Sequence, residues 1–393
     1  MKRRDFIRNS ALASTWAFVP GFLKPFESLG AYKGKRLVVI ELSGGNDWLN
    51  CIVPYKNDLY FKTRPSLALG TDMLVPLEKD MALNRSLIAL KDLYDNGELA
   101  IVNDVGYPNP DRSHFRSMDI WHTASSANEY FQTGWIGRYL DSECEQAMKA
   151  VQLDNYLSLA LKGKRLNGIA TTDIDRLHKE FKNAYFNKIV ELAKKEALQS
   201  DNRDYMYKML INTDSGIDHL KEKFNRSTGS ADYPNTSFGK QLKNISTLIG
   251  NGCEATVYYL NLTGFDTHAN QLARHNELQV QYAEGVSSFT NDLKKQGTWD
   301  GTLIFTFSEF GRRVEENASK GTDHGAAGNV LLMGKQLKKK GIVNQNPDLS
   351  DLTDGDLKYS VDFRRVYSNI LESWLNTDPV KIIPGVHDPY IIV

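Results

Sequence analysis

The chain has 393 residues, of which 41% are hydrophobic and 24% charged, and this composition is enough for a large packed core. Its 48 basic and 48 acidic side chains cancel, so no nucleic acid partner is expected. The cysteines, Cys51, Cys144 and Cys253, are odd in number and far apart, and they predict neither a disulfide framework nor a cysteine zinc cluster.

The N-terminus, MKRRDFIRNSALASTWAFVPGFL, has a charged head before a modestly apolar stretch, which is the layout of an export signal. It is too short and too mixed for a stable membrane span. Arg3 and Arg4 resemble the bacterial twin-arginine signal, although Lys2 stands where that signal usually has Ser or Thr. We expect residues 1–31 to direct the folded protein through the twin-arginine export machinery to the periplasm or the medium. The alternative is a basic amphipathic helix.

Apolar runs of strand length recur after this segment, and each is closed by glycine or polar residues. They are KRLVVIELSGG, ELAIVNDVG, ATVYYLNLTG, GTLIFTFSEFG and NVLLMG. Helical patterns lie between them, among them RSLIALKDLYDNG, SFGKQLKNISTLIGNG and LARHNELQVQYAEGVSSFTNDLKKQG. Strands that alternate with helices predict an α/β domain over residues 32–393, with a mainly parallel sheet covered on both faces.

The section around residues 173–227 differs from the rest of the chain. It is rich in Lys, Asp, Asn and Tyr, has helical spacing and contains no convincing strand. We interpret it as helices outside the sheet or as a cap beside the site. A separate domain is the alternative, although no linker marks its edges.

Polar side chains that could bind a metal follow the predicted strands. Because ligands bind outside the carboxyl ends of the strands in open α/β sheets, these segments are expected to converge. Imidazole and carboxylate ligands suit Zn²⁺ or a similar divalent ion. The residues are Asp47 after the first run, Ser113 and His114 after the second, Asp266 and His268 after the third, Glu309 and Arg312 after the fourth, and Asp323 and His324 before the last.

Each segment also has a simpler interpretation when it is taken alone. Asp266 and His268 could form an Asx turn with a solvated histidine. Asp47 could cap the helix that follows it. The remaining alternatives are a loop cap for Asp323 and His324 and an ion pair between Glu309 and Arg312 or Arg313.

Ser113 lies where the stretch NPDRSHFRSMDIWHT changes from a loop to a predicted helix. A helix N-terminus favours anions such as phosphate. A serine hydroxyl there, near a divalent cation, could attack a phosphoryl or sulfuryl centre. Ser113 could equally be an ordinary first-turn serine.

The motifs GGNDWLN, NPDRSHFRSMDIW, LSLALKG, GFDTHANQ, FSEFGR, GTDHGAAG and DFRRVYSNILESWL occur in this order and cover nearly the whole chain after the leader. Together they resemble the exported bacterial proteins of the domain of unknown function 1501 family. That family is placed in the alkaline phosphatase-like superfamily and is commonly preceded by a twin-arginine signal.

This resemblance implies a three-layer αβα sandwich with one or two divalent metal ions at the carboxyl edge of the sheet. It implies metal ligands at Asp47, Asp266, His268 and His324. The nucleophile would be Ser113, with His114 as the other candidate.

Two departures from the superfamily pattern change what the resemblance implies. Ser308 and Glu309 stand where an Asp-His pair is usual, so a second metal site would be altered or missing. The region around Ser113 lacks the Cys/Ser-x-Pro-x-Arg context in which sulfatases form formylglycine, which disfavours that type of sulfatase.

The sequence therefore favours an exported, metal-dependent hydrolase of phosphate or sulfate esters, acting on a small or polymer-derived anionic substrate. In this hypothesis Asp266, His268 and His324 hold the ion, with help from Asp47, Glu309 and Asp323. Arg312 would hold a substrate oxygen. The alternatives are a non-catalytic metal- or ligand-binding protein that acts beside exported polymer-degrading systems, and a purely structural domain without metal.

Overall fold

The computed structural model describes residues 34–144, 147–196, 202–225, 232–386 and 388–393. The segment expected to be an export signal, residues 1–31, lies outside the described residues. No helix within the described ranges has both the length and the apolar character needed to cross a membrane.

The strands are numbered in chain order. They are β1 (Arg36–Ser43), β2 (Ile52–Val53), β3 (Leu74–Pro76), β4 (Ala82–Asn84), β5 (Leu99–Gly106), β6 (Ala150–Gln152), β7 (Ile169–Ala170), β8 (Val257–Thr263), β9 (Thr302–Phe307), β10 (Arg312–Glu316), β11 (Thr322–His324), β12 (Gly328–Met333), β13 (Gly341–Ile342), β14 (Leu352–Thr353), β15 (Asp356–Leu357) and β16 (Val361–Asp362).

The α-helices are numbered in the same way. They are α1 (Asp58–Thr63), α2 (Lys91–Asp95), α3 (His114–Thr123), α4 (Trp135–Glu143), α5 (Ile174–Phe181), α6 (Ala184–Glu196), α7 (Asn202–Phe224), α8 (Ser237–Gly250), α9 (Gln271–Lys295) and α10 (Phe363–Asn369). Short turns of 3-10 helix and one π turn, Ile370–Trp374, connect some of them.

The central sheet has nine strands among the described residues, in the order β13-β5-β12-β9-β1-β8-β6-β7, with β16 also paired to β5. Every pairing in it is parallel except the two made by β12, which runs antiparallel to β5 and to β9. The mainly parallel sheet expected from the sequence is confirmed.

Strand β1 shows why the fold has three layers. Its side chains alternate between the two faces of the sheet. Val38, Ile40 and Leu42 pack in one core with residues of α8 and α9. Leu37 and Val39 pack in a second core with residues of α3, α4 and α10. A strand buried on both faces accounts for the near-continuous apolar run in its sequence.

Helices α5, α6 and α7 occupy the interval 173–227 that was expected to be helical. Ile174 and Leu220 belong to the same apolar core as one face of β1. A side chain on Gly216 of α7 would come within 2.9 Å of Ile169 on β7. These helices therefore pack at the β7 end of the sheet.

All three cysteines are free and buried. Burial raises the pKa of the Cys144 thiol to about 11 and also raises the pKa of the Cys253 thiol. The thiols are therefore protonated and shielded from solvent, and they act as small apolar groups in the packing.

Candidate metal centre

The sheet topology brings four chain segments to one edge. Strands β1, β8 and β9 are adjacent and parallel, so the loops that follow them lie side by side. Strand β12 runs in the opposite direction, and its first residue, Gly328, pairs with Val105 near the end of β5. A residue just before β12 therefore reaches the same edge as residues just after β8 and β9.

Four side chains converge there, and we call them the histidine cluster: His114, Asp266, His268 and His324. One ring nitrogen of His114, one of His324 and a carboxylate oxygen of Asp266 all lie within 4.8 Å of one another. Asp266 Oδ1 is 3.1 Å from His324 Nε2 and 3.4 Å from His114 Nε2. His268 Nε2 lies 2.9 Å from Asp266 Oδ1 and 2.9 Å from His324 Nε2.

Each imidazole of the cluster has its Nδ1 atom next to an acceptor oxygen. An acceptor at Nδ1 fixes the ring proton there and leaves the Nε2 lone pair available. Metal-binding histidines in proteins are held in this way by a carboxylate or a backbone carbonyl. The pairs are His114 with Glu309 Oε1 at 2.8 Å, His268 with Asp323 Oδ1 at 3.3 Å, and His324 with the backbone oxygen of Arg112 at 2.7 Å.

This arrangement leaves electron pairs facing one another. His268 Nε2 and His324 Nε2 are 2.9 Å apart, and with the ring protons assigned to Nδ1 from the neighbouring acceptors, neither nitrogen can donate to the other. His114 Nε2 is buried and makes no hydrogen bond. A cation between these atoms would satisfy all of them. The donor set of imidazole nitrogen and carboxylate oxygen fits Zn²⁺ or a similar divalent ion.

The electrostatics of the cluster keep its carboxylate charged. Burial opposes ionisation of Asp266, but the Arg312 guanidinium, whose Nη2 donates at 2.7 Å, and His324 together hold the pKa of that carboxyl well below its usual range. Burial lowers the pKa of His324. The hydrogen bond to Glu309 raises the pKa of His114. Asp266 is therefore anionic and His324 neutral, as metal ligands must be, whereas binding of an ion at His114 would displace a proton that its raised pKa favours.

Glu309 lies behind His114. Its side chain is fully buried, and its Oε1 atom accepts a hydrogen bond from the Gly44 backbone amide at 2.8 Å in addition to facing His114. Gly44 has φ +118°, and a Cβ atom there would come within 2.4 Å of the Asp266 backbone nitrogen. A glycine is therefore required to bring the loop after β1 against the loop after β8.

Arg312 is 2% exposed and ties three loops together. It donates from Nε to the Gly45 oxygen at 2.6 Å, from Nη1 to the Thr322 oxygen at 2.7 Å, and from Nη2 to Asp266. With both terminal nitrogens bound to protein acceptors, the guanidinium positions Asp266. A direct contact between Arg312 and a substrate stays a prediction.

Asp47 lies away from the group of converging ligand atoms. It is 1% exposed, and its Oδ2 atom accepts from Arg64 Nη1 at 2.6 Å and from Gln271 Nε2 at 2.5 Å. Burial opposes its ionisation, but the fully buried Arg64 lowers the pKa of the Asp47 carboxyl. Asp47 is thus held in a buried ion pair. A role of Asp47 as a metal ligand stays a prediction.

Asp323 and Ser113 flank the histidine cluster. Asp323 faces His268 Nδ1 and accepts from Asn317 Nδ2 at 3.1 Å, a hydrogen bond that lowers the pKa of its carboxyl. Ser113 is exposed and is the N-cap residue of α3, but its hydroxyl makes no capping bond. Ser113 directly precedes His114 in the chain, and its hydroxyl can rotate toward solvent.

Sequence reasoning missed three contributors to this site. It treated His114 as a candidate nucleophile and not as a ligand. It did not foresee the Arg112 carbonyl, because a backbone atom leaves no mark in the sequence. Phe310 packs with its ring centroid 4.9 Å from that of His114 and 4.7 Å from that of His324. The motif FSEFGR, in which Phe310 precedes Gly311, was the sequence feature from which this contact could have been predicted.

A cleft of about 850 Å³ opens beside the cluster. Arg112, whose carbonyl accepts from His324, and Ala326, two residues beyond His324, form part of its wall. The Arg112 side chain pairs with Asp356 Oδ2, which is also in the wall. The cleft is of the size that small-molecule sites occupy.

The fold and this edge cluster define an α/β protein with a histidine and carboxylate centre at the carboxyl end of a mainly parallel sheet. The chain belongs to the family of proteins of unknown function DUF1501, whose sequence profile matches residues 102–375. The family expected from the sequence is thereby confirmed. No curated protein matches the chain in sequence.

Several solved structures are similar to the chain at low identity. The PsFucS1 sulfatase from Pseudoalteromonas sp. is 10% identical with a TM-score of 0.40, over 90% of this chain and 70% of that one. The C-terminal periplasmic domain of EcEptC from Escherichia coli is 12% identical with a TM-score of 0.39, over 92% and 88%. An alkaline phosphatase superfamily protein from Vibrio parahaemolyticus is 12% identical with a TM-score of 0.35, over 77% and 61%. These similarities are too low to indicate chemistry.

Proposed function

We propose that this protein is a metal-dependent hydrolase of phosphate or sulfate esters. The observation that supports this most is the convergence of three imidazole Nε2 atoms on Asp266 Oδ1, with every Nδ1 atom already facing an acceptor. His114, Asp266, His268 and His324 would hold one divalent ion, with Zn²⁺ the best match to these ligands. A bound ion of this kind polarises an ester oxygen and stabilises negative charge on the transferred group.

Residues around the cluster would orient the metal ligands and bind the ester. Glu309 and Asp323 orient His114 and His268, and Arg312 holds Asp266 in place. The neighbouring cleft would receive the alcohol portion of the substrate. The first-turn amides of α3, a helix of ten residues, favour a bound anion at its N-terminus.

Ser113 would act as the nucleophile at that N-terminus. Its Oγ atom attacks phosphorus or sulfur, the ester oxygen leaves, and the serine proton ends on the departing alcohol. Water then cleaves the serine ester, which restores the hydroxyl and releases phosphate or sulfate. The exposure of Ser113 and the freedom of its hydroxyl from capping support this role.

The test is turnover by the purified protein after metal loading, with aryl phosphates, aryl phosphodiesters and aryl sulfates as substrates. We expect hydrolysis of at least one class, and loss of both metal and turnover in the double variant Asp266→Ala, His268→Ala. Ser113→Ala should keep the metal and lose turnover. His178→Ala, which removes a half-buried histidine on α5 paired with Asp218, is the matched control. Turnover that survives in the double variant excludes the assignment.

A second candidate is a non-catalytic protein that binds a metal or an anionic ligand at the same edge. The burial of Asp47 against Arg64 favours it, because the carboxylate in the loop after β1 is committed to an ion pair. In that case ligands would shift the melting temperature of the metal-loaded protein, and no ester in the panel would be hydrolysed.

Export by the twin-arginine route to the periplasm or the medium is part of the same proposal. It rests on Arg3 and Arg4 ahead of the apolar stretch. A fusion of residues 1–31 to a reporter that is active only after export should be secreted by bacteria. The double substitution Arg3→Lys, Arg4→Lys should abolish secretion, and a reporter exported equally with both substitutions would contradict this route.

A further inference from the structure

Strand β5 contains a bulge close to its carboxyl end. Gly328 pairs with Val105 and Val330 with Val102, so Asn103 and Asp104 stand opposite the single residue between them on β12. Asp104 adopts a left-handed backbone conformation with φ +53°. A bulge re-aims a side chain out of the regular alternation. Here it turns the Asp104 carboxyl toward the loop that joins β13 to β16.

That loop, residues 343–360, borders a cavity at the edge of β5 that is partly open to solvent. Strands β13 and β16 both pair in parallel with β5, one on either side of Asp104. The Asn344 side chain continues the hydrogen-bond pattern between β13 and β5. It accepts a hydrogen bond from the Asn103 backbone nitrogen and donates one to the Asn103 backbone oxygen, both at 2.8 Å. The loop is anchored at its other end by Ser360, which donates to the Asp104 backbone oxygen at 2.8 Å. We call this space, of about 370 Å³, the loop cavity.

Two side-chain oxygens in the wall of the loop cavity have no partner. Asp104 is 8% exposed, and its Oδ1 atom is buried and makes no hydrogen bond. The Oδ1 atom of Asn346 is also buried without a partner, while its Nδ2 atom donates to the Lys79 carbonyl. Buried acceptors of this kind are rare in folded proteins, because each loses its hydrogen bonds with water. A cation in the cavity would give both oxygens a partner.

The charge in the wall is negative. Asp104, Asp348 and Asp351 line the cavity together with one cation, Lys358. Lys358 is already paired with Asp351. Asp348 is exposed, and its Oδ1 atom accepts hydrogen bonds from the Ser350 backbone nitrogen at 2.9 Å and from the Ser350 hydroxyl at 2.6 Å. The carboxyl in the wall whose Oδ1 atom is buried without a partner is therefore that of Asp104.

We propose that the loop cavity is a calcium site, in which the carboxylates of Asp104 and Asp348 and the side-chain oxygen of Asn346 bind the ion. All three donors are oxygens, which Ca²⁺ prefers, and its coordination by six to eight ligands of flexible geometry suits a site with room for water. The histidine cluster, by contrast, offers nitrogen and suits Zn²⁺. The calcium site is separate from that cluster and stands independently of the proposed function.

The test is calorimetric titration of the full-length protein, freed of metal by a chelator, with CaCl₂ above neutral pH. We expect one saturable site per chain, and Asp104→Asn should weaken calcium binding by about tenfold or more. Asp348→Asn, a change in an exposed side chain, should weaken it as well. Asp300→Asn, whose carboxyl is 69% exposed and pairs with Lys335, is the matched control and should bind as the wild type does.

Melting curves separate a lost ligand from a damaged fold. In chelator, Asp104→Asn should melt at or above the wild-type temperature, because it removes a buried carboxyl that has no partner. Calcium should raise the melting temperature of the wild type and of His268→Ala, and not that of Asp104→Asn. The absence of saturable calcium binding by the wild type, or equal binding by Asp104→Asn, would overturn the proposal.

Discussion

At the scale of single residues, the histidine cluster depends on atoms that do not themselves face the centre. His114 and His268 are each held by a carboxylate at Nδ1, and His324 is held by a backbone carbonyl. The residue types Asp, His and Glu could be predicted from their positions after the strands. The sequence could not show which of these side chains face the centre and which hold a ligand from behind. That difference depends on side-chain rotamers, which a sequence does not reveal.

Glu309→Gln tests the role of a residue that holds a metal ligand from behind. The amide keeps an oxygen for the Gly44 amide but removes the charge that favours a proton on His114 Nδ1. We expect zinc affinity to fall by about 10-fold to 100-fold, measured by competition with a chelating dye. Glu315→Gln, on the exposed side of β10, is the control. Unchanged affinity in Glu309→Gln would show that the carboxylate has no part in holding the ligand.

His275 gives a pH prediction. Burial lowers its pKa to about 4, from a value near 6.5 in an unfolded chain. The unfolded state therefore takes up a proton first as the pH falls. Stability should be unaffected by His275 above pH ~6.5 and should fall by roughly 1 kcal/mol per pH unit between ~6.5 and ~4.

The measurement for His275 is urea unfolding at several pH values, compared with His275→Gln. The variant should lose less stability than the wild type over the acid range, even if it starts from a lower value. Parallel curves for the two proteins would mean that the acid loss comes from other groups. His178→Gln is the matched control, since His178 is paired at the surface with Asp218.

At the scale of elements, the long strands and helices were predictable because they carry a clear hydrophobic period. Strands β1, β5, β8, β9 and β12 and helices α8 and α9 lie where the apolar runs and helical patterns place them. The two-residue strands β13 and β16 were not predictable, since a pair of residues has no period. The antiparallel direction of β12 could not be predicted either, because the direction of a strand depends on the path of the loop that leads into it.

The loop after β9 packs closely against the residue that precedes β12, and Gly311→Ala tests this contact. A Cβ atom at Gly311 would come within 1.9 Å of the Ala327 backbone oxygen, just before β12 begins. We expect a loss of about 1–3 kcal/mol in stability from the forced shift. Zinc affinity should fall with it, because the shift displaces His324.

The control for Gly311→Ala is Gly297→Ala. Gly297 has no atom within 4 Å of its Cβ position and carries only the strain of φ +68°. It should lower stability without changing zinc affinity. Chemical denaturation and metal titration of the two variants give both quantities. If Gly311→Ala binds zinc as tightly as the wild type, the loop contact does not position His324.

At the scale of the whole molecule, the histidine cluster joins parts of the chain that are far apart in sequence. The hydrogen bonds of its side chains span 195 residues between His114 and Glu309 and 58 residues between Asp266 and His324. The overall fold could be predicted from alternating strands and helices and from the family resemblance. The pairing of Asp47 with Arg64 could not, because α1 and the loop after β1 meet only in the folded chain.

A bound ion should therefore stabilise the entire fold. At a zinc concentration a hundred times its dissociation constant, we expect about 2.7 kcal/mol of added stability and a clear rise in melting temperature. Chelator should reverse the rise. The double variant Asp266→Ala, His268→Ala should melt at the same temperature with and without zinc, and His178→Ala should respond as the wild type does.

The buried cysteines give the fold a natural reporter. A thiol reagent that cannot enter the core will react with Cys51, Cys144 and Cys253 only when the protein opens, because all three are enclosed. Cys51 and Cys253 belong to the core that packs against α8 and α9, and Cys144 belongs to the core on the other face of the sheet, so the thiols sample both faces. The order in which they become labelled would reveal which region opens first, without any engineered probe.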